Sequence, residues 1–148
     1  MWKYRENRFD LKVIGYQFCD APGDRFDDNW LIVRIKVQDE KNGNWEKEEP
    51  ALLTFDIKEL IDWFENLDLE SNEEKDISFT EPNLEFLYMG KGHIQVLLNL
   101  EFLPPSLRAE WTYEKSLPPY PVDFLLNRND IDWMVRRLKS GISQFPER

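Results

Sequence analysis

The chain has 148 residues, 41% of them hydrophobic and 14% aromatic, and a formal net charge of −10. That length fits one domain spanning residues 1–148, with a core that needs no cross-links, and the single cysteine, Cys19, excludes an internal disulfide. Residues 1–8 lack the apolar segment of a secretion signal and no run reaches the ~20 apolar residues of a membrane span, so a cytoplasmic protein is expected.

Phe9–Tyr16 alternates, with Phe9, Leu11 and Val13 on one face and Asp10 and Lys12 on the other, which predicts a strand buried on one side. Cys19–Asp28 contains Pro22-Gly23 and four aspartates and reads as a loop. Trp30–Gln38 is a second strand with Leu31, Val33, Ile35 and Val37 inward. Lys41-Asn42-Gly43-Asn44 predicts a hairpin, because Asn and Gly both tolerate positive φ. The chain then returns through Trp45. Pro50 lacks an amide donor, so the returning strand lies at a sheet edge or breaks there before resuming over Ala51–Phe55.

Asp56 is placed to cap a helix over Asp56–Leu67, with Glu59 three residues on. Ile57, Leu60, Ile61 and Phe64 recur at the spacing of one buried stripe, leaving Lys58, Asp62, Glu65 and Asn66 outside. Asp68–Asp76 reads as an exposed acidic loop with a frayed helix end. Ile77–Thr80 and Leu84–Met89 are strands separated by a turn at Glu81-Pro82-Asn83, and Gly90-Lys91-Gly92 closes a second hairpin. His93–Phe102 alternates throughout and predicts one long central strand, ended by Pro104-Pro105. Arg108–Tyr113 alternates again and predicts a strand, and Val122–Leu126 is a last short one after the proline-rich 118–121 connector. Asn127 or Asn129 caps a final helix with the stripe Ile131, Met134, Val135 and Leu138. Arg136, Arg137 and Lys139 sit in its last turn and Gly141 just past its end. These elements predict an α+β fold: a mostly antiparallel sheet or sandwich of about eight strands with two amphipathic helices.

Charge is unevenly spread. Residues 39–86 hold sixteen carboxylates against four lysines, while the flanking segments are nearly neutral. With an isoelectric point near 4.6, the protein is expected to avoid nucleic acid and anionic membranes and to attract basic partners. Catalytic and metal motifs are missing. His93 is the only histidine, no cysteine pair or HExxH exists, and no cofactor or metal is expected. Gly90-Lys91-Gly92 lacks the length and following helix of a phosphate loop. Cys19 reads as a half-buried, inert thiol. Trp63 and Trp133 lie beside their helical stripes and are expected to be half exposed, the other tryptophans mostly core.

Several short patterns are familiar. Asn29-Trp30-Leu31 opening a strand, Asn-Gly-x-Trp at Asn42–Trp45, and Pro50-x-Leu52-Leu53-Thr54 before a helix are three of them. Glu81-Pro82-Asn83-Leu84-x-Phe86 and the ending Phe145-Pro146-x-Arg148 complete the set. Together they resemble bacterial WapI-family immunity proteins across most of the chain. The resemblance implies a non-enzymatic protein that binds and neutralises a cognate toxin domain, without transferring the identity of that toxin. The acidic third fits a basic, nuclease-like toxin. The expected contact surface is Glu46, Glu48 and Glu49 at a strand edge, Asp62 and Glu65 on the helix, and Glu70, Glu73, Glu74 and Asp76 beyond it. Two alternatives stand beside this reading: an acidic adaptor module for some other partner, and a hydrolase working through paired carboxylates.

Overall fold

A computed structural model describes residues 1–112 and 115–148. The described residues form two four-stranded antiparallel sheets. The first runs β1 (Trp2–Tyr4), β2 (Asn7–Tyr16), β3 (Trp30–Asp39) and β4 (Gly43–Leu53) in spatial order. The second runs β5 (Lys75–Ile77), β6 (Leu84–Gly90), β7 (His93–Leu98) and β8 (Tyr120–Leu125). Two long helices, α1 (Thr54–Glu65) and α3 (Arg128–Gln144), accompany them, with a single-turn α2 (Pro105–Arg108) and a 3-10 turn at Leu100–Phe102. The expected α+β architecture is present.

The alternating residues of β2, β3, β6, β7 and β8 meet the stripes of α1 and α3 in one core. Trp2 sits at its centre. Its indole contacts Phe9, Phe64, Phe86 and Phe124, with centroids 5.6–6.1 Å apart, and its Nε1 donates to the Asp130 carbonyl at 3.0 Å. Each such ring pair adds ~0.5–1.5 kcal/mol beyond the area it buries. This one side chain therefore ties both sheets and both long helices together. Strand β1 was not anticipated, because Lys3, Arg5 and Glu6 mask so short a pattern. Arg5 turns the chain at φ 52°, and Trp2 then pairs with Phe9.

β1 covers only the first residues of β2, and α3 protects the rest of that edge. Arg137 donates to the Leu11 carbonyl at 3.2 Å and binds both oxygens of buried Asp10 at 2.6 Å. Gly141 lies inside α3 rather than past its end: a Cβ there would stand 2.7 Å from Val13 Cγ2. The helix runs on to Gln144, so Arg136, Arg137 and Lys139 are in its middle, not its last turn. Asn127 is the cap, accepting from the Asp130 amide at 3.0 Å.

Other expectations shift for local reasons. The long strand ends at Leu98, because β6 begins at Leu84 and β8 at Tyr120, both opposite Leu98, and no partner continues further. Asn99 then accepts from the Leu100 amide at 2.9 Å and starts the 3-10 turn, with Leu100 at φ 52°. Arg108–Tyr113 is not a strand: Arg108 ends α2, a turn follows, and Tyr113 lies outside the described residues. The strand expected at Ile77–Thr80 is Lys75–Ile77. In the first hairpin Asp39 pairs with Gly43, so residues 40–42 form the loop. Only Gly43, at φ 70°, takes the left-handed conformation there. β4 is an edge strand, and the register slips at Ala51 beside Pro50, which accommodates the missing donor.

Candidate functional site

α1 begins at Thr54, two residues before the expected cap. Leu53 is the extended N-cap residue, and Asp56, in the third helical position, accepts from the Leu53 amide at 2.9 Å. Burial raises the Asp56 carboxyl above its usual range, partly offset by that amide. Asp56 is thus occupied in holding the helix start. Glu59, Asp62 and Glu65 project from the opposite face and are exposed.

At the other end of α1 the chain is fastened rather than frayed. Arg128 donates to the Phe64 carbonyl at 3.3 Å and to the Leu67 carbonyl, placing a cation against the helix C-terminus. The acidic loop beyond is pinned to the β6–β7 turn. Tyr88 donates to the carbonyls of Asp68 at 2.9 Å and Ser71 at 3.2 Å, and the Lys91 amide donates to Ser71 at 2.8 Å. Inside the loop the Asp68 carboxylate accepts from the Glu70 amide and the Ser71 hydroxyl from the Glu73 amide, each at 3.0 Å. All these bonds use backbone or residues other than Glu70, Glu73 and Glu74, whose side chains are exposed.

The nine expected contact carboxylates fall into two classes. Glu46 and Glu48 lie beside Arg34 across the β3–β4 ladder, at 3.1 Å and 2.6 Å. Glu49 is 3.4 Å from Lys47, and Glu65 is 3.5 Å from Lys139 of α3. Asp62, Glu70, Glu73, Glu74 and Asp76 are exposed and make no ion pair among the described residues. The second class runs from the outer face of α1 through the pinned loop into β5.

Sequence reading missed Glu85. Alternation places it outward on β6, but only the β5–β6 pairing brings it near Asp76. Partial burial raises its carboxyl above the usual range, and the Asp76 charge adds to the effect. His93 is exposed at the start of β7. Cys19 is exposed rather than half buried, since the 17–27 loop projects from the fold. Trp63 and Trp133 are half exposed as expected, but of the other four only Trp2 and Trp45 are core, Trp30 and Trp111 being only half buried. No group of three or more His, Cys, Asp or Glu side chains among the described residues is placed to hold a metal ion. Five surface clefts of about 80 to 470 Å³ each have at most one carboxylate residue in their lining.

A family model described as the immunity protein WapI-like family matches residues 2–146. The chain belongs to this family. Its members are immunity proteins, so protection against a toxin is the function to which the chain is assigned. Comparison with curated proteins and with solved structures finds no match.

The short patterns that mark the family resemblance make tertiary bonds. Asn29 is fully buried and contacts Thr54 and the chain's last residue, Arg148. The Asn42 side chain donates to the Tyr120 hydroxyl at 2.6 Å, and Tyr120 itself donates to Asp39. Burial and the adjacent carboxylate push the Tyr120 phenol up to about 12. Trp45 Nε1 donates to the Phe102 carbonyl at 3.1 Å. Asn83 donates to Glu101 at 2.7 Å, and its carbonyl accepts from the Asn99 amide at 3.0 Å. These residues help build the scaffold of this chain, and the acidic side chains stand on it.

Proposed function

We propose that the protein binds and neutralises a cognate toxin domain by covering a basic surface of that domain with its own carboxylates. Membership of the immunity family over residues 2–146 is the observation that carries this reading. The arrangement of charge supports it. Among the described residues Asp62, Glu70, Glu73, Glu74 and Asp76 form no ion pair that would compete with a partner's lysines and arginines. Hydrogen bonds pin the backbone of the loop that carries three of them, which lowers the ordering cost of binding. Glu46, Glu48, Glu49 and Glu65 are already paired with Arg34, Lys47 and Lys139 and are less available to a partner. A nuclease must attract phosphate and is basic at its active site, so it is the toxin class this surface suits best.

Binding is favoured over carboxylate hydrolysis because none of the five clefts described above brings two carboxylates into one wall among the described residues. Asp76 and Glu85 do come together, but on an open sheet face, not in a recess.

Co-expression with the toxin domain encoded immediately upstream tests the reading. Growth is rescued by the wild-type protein and lost without it; failure of rescue by the wild type refutes the proposal. The variant Glu70→Lys/Glu73→Lys/Glu74→Lys leaves melting unchanged and slows association with that domain by about tenfold or more at low salt, the difference shrinking as salt screens the charges. Association at the wild-type rate moves the contact surface elsewhere.

A further inference from the structure

We infer that the outer face of the β5–β8 sheet is the seat for the toxin domain, with an apolar centre that grips and an acidic margin that orients. This rests on the proposed immunity reading and names the surface through which it acts.

The two sheets differ on their solvent sides. On the β1–β4 sheet the outward row of β3 and β4 is charged and already satisfied, Arg34 against Glu46 and Glu48. On the β5–β8 sheet the side chains alternating with buried Leu84, Phe86 and Tyr88 are Glu85, Leu87 and Met89. Cross-strand pairing extends this face. Glu85 stands opposite Leu97, and Leu87 stands opposite both Asp76 and Gln95. Gln95 stands opposite Asp123, and Leu125 lies two residues along β8 on the same side.

Leu87 and Leu97 are half buried, while Met89 and Leu125 are 44% and 45% exposed. These last two are among only five large hydrophobic side chains so exposed among the described residues. Exposed His93, opposite Leu125, and half-buried Gln95 are interspersed among these apolar side chains. The centre is thus largely apolar and holds no ion pair among the described residues, as an interface core requires, and Met adapts well to a partner's contours.

Charge chooses the occupant. Asp76 and Glu85 lie close on this face with no ion pair among the described residues, and partial burial, added to by their mutual repulsion, holds Glu85 above its normal range. The loop carrying Glu70, Glu73 and Glu74 leads directly into β5, the margin strand of the same sheet. Arg5 flanks the opposite margin, where the β1–β2 turn and the sheet enclose a groove of about 470 Å³. A basic protein surface with an apolar patch beside its lysines and arginines complements this face along the β5 margin. A second copy of this chain would set acid against acid there.

The test measures binding of the upstream-encoded toxin domain, made catalytically inactive, to purified protein. The variant Met89→Ser/Leu125→Ser binds about tenfold or more weakly, chiefly through faster dissociation, as truncation of interface anchors does. The variant Asp76→Asn/Glu85→Gln associates more slowly at low salt. Gln38→Ala, on the outer face of the other sheet, stays within about twofold of wild type. Circular dichroism and melting establish that each variant is folded, and amide exchange of the wild-type complex gives an independent readout, with added protection over β6–β8. Wild-type affinity in both face variants, or no added protection, overturns the inference and leaves the immunity reading standing. Absence of binding by the wild type overturns both. A wild-type dimer in sedimentation that Met89→Ser/Leu125→Ser converts to monomer assigns the face to self-association and overturns the inference.

Discussion

Replacing Asn29 with alanine probes the joint on which the 17–29 loop, the start of α1 and the chain's end converge. Asn29 is fully buried, and its side chain makes four hydrogen bonds. Nδ2 donates to the Arg25 carbonyl at 2.8 Å and the Arg148 carbonyl at 3.1 Å, while Oδ1 accepts from the Arg148 amide and the Thr54 hydroxyl, both at 2.9 Å. At a net of ~1 kcal/mol each, the bonds sum to about 4 kcal/mol. Arg25 and Arg148 are exposed, so water recovers part of their share. Thr54 is fully buried, and its orphaned hydroxyl costs about 1–3 kcal/mol. The expected loss is about 3 kcal/mol, read as a fall of roughly 1.5 M in the urea midpoint for a slope near 2 kcal/mol/M. Adding Thr54→Val removes the orphaned hydroxyl, so the double variant is about 1 kcal/mol more stable than the sum of the single losses implies. A loss below about 1 kcal/mol, or strict additivity with Thr54→Val, refutes the reasoning.

Two further outcomes follow from other contacts. Gly141→Ala gains about 1 kcal/mol of helix propensity but forces a methyl against Val13, for a net destabilisation of about 1–2 kcal/mol in urea titration. Val13→Ala in that background costs less than it does alone; equal costs reject the overlap. The Tyr120 phenol, raised to about 12, contributes stability that is fully present below pH ~10 and is lost as pH rises from ~10 to 12, because the folded state favours the protonated form. Tyr120→Phe deletes the latest step of the tyrosinate absorbance titration, and an unchanged curve at high pH contradicts the assignment.

How much of this was legible without coordinates depended on the range of the interaction. Alternation in Phe9–Val13, Leu31–Val37 and Leu84–Tyr88, and the 3.6-residue stripes of α1 and α3, reflect contacts made by one face of one element. They fixed the element types and the α+β class. Element ends were less legible, because a neighbour decides them. β7 stops at Leu98 where both flanking strands run out, and Asp56 caps α1 from within the helix once Leu53 is held extended. Gly141 looked like a helix terminator and is instead the place where α3 approaches Val13.

The acidic surface divides in the same way. Its composition and its position in residues 39–86 belong to the sequence alone. Which carboxylates remain unpaired is tertiary. Glu65 is paired because α3 brings Lys139 alongside, and Glu46 and Glu48 because β3 places Arg34 between them. The shared outer face of the β5–β8 sheet was not visible in advance, since Leu87, Met89 and Leu97 of the β6–β7 hairpin come onto one face with Leu125 only when β8, which begins at Tyr120, pairs with β7. Sequence determined what each face is made of, because side-chain chemistry and local periodicity are properties of the chain. The tertiary structure decided which faces meet and which are left open, because charge pairing and burial depend on distances across elements far apart in sequence.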